Sequence, residues 1–68
     1  MIRFGTVIEV NRKLNYAVIR ENTPHAIRFV VLPSELVKVQ LSNQSQVCFK
    51  RDADFMANVA QSLKLVRL

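Results

Sequence analysis

The chain has 68 residues, enough for a single domain over 1–68, with half of them hydrophobic and a formal net charge of +5 from ten Lys and Arg against five acids. A domain of this size buries only roughly 60% of the surface its unfolded chain exposes, so one modest core is expected. The single cysteine excludes an internal disulfide, the single glycine excludes a glycine-rich phosphate loop, and no run approaches the ~18 apolar residues of a membrane span.

Residues 2–10, IRFGTVIEV, are rich in β-branched and aromatic side chains and read as a first strand, ended by the polar Asn11, Arg12 and Lys13. Gly5 inside that strand is expected to permit a bulge or tight bend, through which one strand joins both halves of a barrel. Residues 14–20 form a second strand, Glu21 to Pro24 a turn, and residues 26–32 a third strand. Both runs of this hairpin are apolar at odd and at even positions, so each presents two apolar faces, and the second face calls for a partner of its own.

Pro33 has no N–H and stops the third strand. Ser34 then stands as a cap for a short helical turn through Glu35, Leu36 and Val37, with Leu36 closing the core. Residues 42–45 are a polar loop, 46–51 a fourth strand and 57–66 a fifth. The last segment also has near-helical spacing at Met56, Val59, Leu63 and Val66, but the short run length and the alternation at its end favour a strand. Five short strands in so small a chain either leave sheet edges open or close. The expected fold is therefore all-β, a five-stranded antiparallel Greek-key barrel of the OB type.

Several segments carry a family resemblance. GTVIEVN, the run Leu14-Asn15-Tyr16-Ala17-Val18-Ile19, the run Phe29-Val30-Val31-Leu32, LSNQSQVCFK and Ala57-Asn58-Val59 occur in the order and separation of the cold-shock domain motifs. Between about Gly5 and Val59 the chain resembles that family. The resemblance implies an OB-fold and single-stranded RNA or DNA as partner. Glu9 stands where the family has a stacking tryptophan, and Val18, Val31 and Leu32 stand at an aromatic, the histidine and a second aromatic.

Such a site works by stacking splayed bases on aromatic rings while cations neutralise phosphates, and each stack is worth about 1–3 kcal/mol with any base. Alternation places Leu14, Tyr16, Val18 and Arg20 on one face of the second strand, and Ile27, Phe29 and Val31 on one face of the third. If the two faces coincide, Tyr16 and Phe29 form a two-ring platform. The expected nucleic-acid-binding set is Tyr16, Phe29, Val18 and Val31, with Arg12, Lys13, Arg20 and Arg28 positioning phosphates. The function this describes is weak, largely sequence-independent binding of single strands. The competing reading takes the aliphatic members of the same face as a surface for a protein partner or for a second copy of the chain.

The remaining candidates read as structural. Phe4, Phe49 and Phe55 are expected in the core or packed under loops, although Phe55 in its loop is also within reach of a ligand. Cys48 is expected as a small core hydrophobe. His25 follows Pro24 in a turn and has no nearby carboxylate or cysteine with which to form a metal site or a triad. No enzyme and no cofactor are expected. The N-terminal run lacks the apolar stretch of a secretory signal, and together with a lone thiol this predicts a cytoplasmic protein.

Overall fold

A computed structural model describes residues 1–66; Arg67, one of the ten cations, lies outside them. Five strands and one helical turn follow in the order β1 (Arg3–Asn11), β2 (Tyr16–Glu21), β3 (Arg28–Val31), α1 (Pro33–Leu36), β4 (Gln46–Arg51) and β5 (Val59–Leu65). The strands close into a barrel in the order β1-β2-β3-β5-β4. The all-β class and the closed five-stranded barrel agree with the sequence reading, and the fifth segment is a strand.

The expectation of antiparallel pairing throughout is corrected. Four seams are antiparallel, but β3 and β5 run parallel through Val30↔Val59 and Val31↔Ala60. The reason is parity. Strand direction cannot alternate all the way round a ring of five, so one seam must join strands of the same sense. Here it is the shortest seam, extended by a hydrogen bond from the Val30 N–H to the Asn58 carbonyl.

Strand β1 is long because it has two neighbours, pairing with β4 over Arg3–Thr6 and with β2 over Gly5–Asn11. Gly5 lies where the two pairings overlap, and its purpose is close approach. A Cβ there would collide with Ile19 Cγ2 and come 2.8 Å from the Arg20 carbonyl oxygen. The bulge expected at Gly5 lies further along, between Val7 and Glu9. It moves Val7 inward and Glu9 outward despite their even spacing.

Residues pointing inward from all five strands form the core: Val7, Ala17, Ile19, Phe29, Val31, Val47, Phe49, Ala60 and Leu63. Phe29 and Phe49 meet edge to face with ring centroids 5.0 Å apart. Leu41, from the α1–β4 connection, is also fully buried, and Leu36, Val39 and Val10 pack against this cluster. A charged pair packs against the core. Arg3 Nη1 donates to Glu21 Oε2 at 2.8 Å, and the same guanidinium carbon lies 5.3 Å from the centre of the Phe29 ring. Glu21 is thus the buried last residue of β2, where a turn residue was expected.

Other local expectations are revised. The cap residue of α1 is Leu32, with Pro33 at the start of the helical turn and no side-chain cap from Ser34. Phe4 is 54% exposed, and Cys48 is only half-buried. Both point outward because their strand neighbours Gly5, Val47 and Phe49 take the inward positions. Leu14 and Ile27 precede β2 and β3 respectively, and both are exposed.

Candidate nucleic-acid interface

The outer surface of β1, β2 and β3 is built from three cross-strand rows. Arg20 of β2 pairs with Arg28 of β3, Val18 pairs with Val30 on one side and Glu9 on the other, and Tyr16 pairs with Asn11. Alternation along β2 places Tyr16, Val18 and Arg20 outward, while Ala17, Ile19 and Glu21 are buried. In β3 Arg28 and Val30 face outward, whereas Phe29 and Val31 are buried.

The two-ring platform is therefore corrected. Phe29 is paired with Ile19 and Val31 with Ala17, so both belong to the inner face and are at most 2% exposed. Tyr16 lies on the opposite surface of the same sheet. The sequence contains a sign of this. Arg28 and Phe29 are adjacent in a strand, so only one of them can face out, and a guanidinium without a partner is costly to bury. Arg28 takes the outward position and Val30 follows it, making Val30 a member of this surface that the sequence reading did not include.

Tyr16 is half-buried and held in place. Its hydroxyl donates to Glu9 Oε2 at 2.7 Å, and Asn11 Nδ2 donates to the phenol oxygen at 3.5 Å. The bond to Glu9 raises the Tyr16 pKa above the ordinary 10.0, against an opposing effect of the hydrogen bond from Asn11. Glu9 thus both fixes the ring and sets a negative charge beside it.

The cations occupy both ends of the face. Arg20 and Arg28 are exposed and stand directly opposite each other, and among the described residues neither forms an ion pair. Like charges in this relation destabilise a sheet unless an anion joins them. At the other end, Arg12 and Lys13 lie in the exposed β1–β2 turn next to Tyr16. Arg12 is partly committed, since its Nη2 donates to the Leu41 carbonyl at 2.9 Å and ties the turn to the α1–β4 connection.

Phe55, the other ring considered for ligand contact, is 43% exposed in the β4–β5 loop. Arg51 organises that loop, its Nη2 lying within 3.4 Å of the carbonyl oxygens of Phe55, Met56 and Ala57. His25 is exposed in the β2–β3 turn. No group of three or more His, Cys, Asp or Glu side chains among the described residues is placed to hold a metal ion, and no helix among them is long and apolar enough to cross a membrane. No family model, curated protein or solved structure matches this chain.

Proposed function

We propose that this chain is a binding module, a barrel of the OB type with Greek-key order and similar to a cold-shock domain, that holds single-stranded RNA or DNA weakly and with little sequence preference. The observation that carries the reading is the Arg20–Arg28 pair, two opposed guanidinium groups without carboxylate partners among the described residues, one row away from the Val18–Val30 pair. A phosphate between these arginines relieves their repulsion, and the adjoining aliphatic row and Tyr16 offer an apolar surface to a base. One ring, Tyr16, in these three rows, where the family shows several, accounts for weak binding, since each stack contributes only about 1–3 kcal/mol.

The test is a salt titration of oligonucleotide binding. A single strand should bind at low salt with a log–log slope of about −0.7 per neutralised phosphate. The double substitution Arg20→Gln/Arg28→Gln should flatten that slope and weaken all sequences alike. Absence of binding to either RNA or DNA at low salt would remove the proposal.

The second reading, a surface for a protein partner or for another copy of the chain, is favoured by the same Val18–Val30 row, where aliphatic bulk lies half-exposed. Sedimentation separates the two. Concentration-dependent dimerisation that is lost in Val18→Asp supports this reading, and a monomer at high concentration counts against self-association.

A further inference from the structure

A concave feature is lined by residues of β4 and β5, neither of which pairs with β2, together with Ile2, and its lining includes neither Arg20 nor Arg28. It is a cavity of about 300 Å³ lined by Ile2, Cys48, Phe49, Lys50, Ser62 and Lys64. Its size is at the lower end of the range typical of small-molecule sites.

The cavity lies at an irregularity in strand pairing. Cys48 pairs with Lys64 and Lys50 with Gln61, so β5 spends three steps where β4 spends two. The surplus residue is accommodated by Ser62, whose φ of 56° is in the left-handed region. The same outer face continues onto β1, where Phe4 pairs with Cys48, giving a cross-strand row Phe4, Cys48, Lys64.

The chemistry of the lining is one-sided. Ile2 and Cys48 supply apolar surface above the buried Phe49, Ser62 a hydroxyl, and Lys50 and Lys64 two exposed ammonium groups that form no ion pair among the described residues. Among the described residues no carboxylate lines the cavity. A cationic apolar ligand meets two like charges there, and a small inorganic anion leaves the apolar wall unused. The ligand that satisfies both halves is an organic anion with an apolar body.

We propose that this cavity is a site for small aromatic anions, an aryl phosphate or carboxylate, with the apolar body against Ile2 and Cys48 and the anionic group between Lys50 and Lys64. The site is independent of strand binding at the β1–β3 face.

Amide chemical shifts of the full chain, titrated with 1-naphthyl phosphate and with the neutral 1-naphthol, test this. Saturable shifts should centre on Cys48, Lys50, Ser62 and Lys64. The neutral probe and the Lys50→Gln/Lys64→Gln variant should each bind about tenfold more weakly or worse, the charge contact being the part removed. Both substituted positions are exposed, so an unchanged spectrum elsewhere verifies the fold of the variant. No saturable shift, equal affinity for 1-naphthol, or shifts centred on Arg20 and Arg28 would overturn the proposal. Loss of oligonucleotide binding in Arg20→Gln/Arg28→Gln should leave naphthyl phosphate binding unchanged, which keeps the two sites distinguishable.

Discussion

Tyr16 and Glu9 are joined across the β1–β2 seam by a 2.7 Å hydrogen bond from phenol to carboxylate, Glu9 lying one row and Tyr16 two rows from a pair of arginines that form no ion pair among the described residues. The bond stabilises the neutral phenol, so the folded pKa lies above the unfolded one. The stability it contributes is complete below the ordinary phenol pKa of 10.0 and is lost as pH rises through the raised value. Ultraviolet titration of the single tyrosine should therefore give a midpoint above 10.0 that returns toward it in Glu9→Gln.

The same substitution should improve strand binding. Glu9→Gln removes the one carboxylate from the rows that carry Tyr16, Val18 and Arg20 and frees the ring to tilt onto a base. Oligonucleotide affinity should rise severalfold at low salt, and the difference from the parent chain should shrink as salt is added. Fluorescence anisotropy with a labelled single strand measures both effects. Equal affinities at low salt would show that no phosphate comes near Glu9.

Val18 and Phe29 belong to opposite surfaces of the sheet and should respond differently to substitution. Val18→Asp alters an outward, half-buried position and should retain the barrel while weakening oligonucleotide binding. Phe29→Ala empties a core position in contact with Phe49 and should cost about 3–5 kcal/mol. Chemical denaturation of the two variants gives the comparison. An unfolded Val18→Asp would place Val18 in the core after all.

Gly5→Ala should destabilise by about 1–3 kcal/mol through overpacking. The added methyl meets a backbone oxygen as well as a side chain, so a rotamer change alone cannot make room. In a domain of this size each kcal/mol lowers Tm by about 4–8 °C, which a calorimetric or circular-dichroism melt resolves.

Ala26, in the β2–β3 turn, has a φ of 49°, a conformation that side chains other than glycine adopt at a cost. Ala26→Gly should raise stability by about 0.5–1 kcal/mol after the added flexibility of the unfolded chain is subtracted. The same melts detect it as a higher midpoint.

Much of the barrel was legible because strand signals are local. β-branched runs bounded by Asn11 to Lys13, by Pro33 and by the Ser42–Ser45 loop mark elements whose ends the structure shifts by only a residue or two at most sites. The phase of one strand against the next is a different kind of information, set by the turn between them. Between Glu21 and Arg28 that turn is closed by the Glu21 N–H on the Ile27 carbonyl, and this fixes Ile19 opposite Phe29. Periodicity gave the outward set of β2 correctly and could not assign Phe29 to it. Leu41 was missed for the opposite reason: it lies in an irregular connection where burial leaves no periodic trace. The bulge at Ser62, beside the cavity, comes from a mismatch in step count between two strands and has no signature in either strand alone.

The parallel seam has a kinetic meaning. Val30 and Val59 are separated by α1, β4 and two loops, so β3 and β5 can meet only after nearly all of the second half of the chain has been placed. The entropy of closing that long loop is repaid by two registered pairs and their neighbours. Zipping of the β1–β2–β3 meander should come early and ring closure last, with the seam also the first line along which the native barrel opens. Amide protons there should exchange with solvent sooner than those between β1 and β2, although Val31 and Ala60 on either side of the seam are buried.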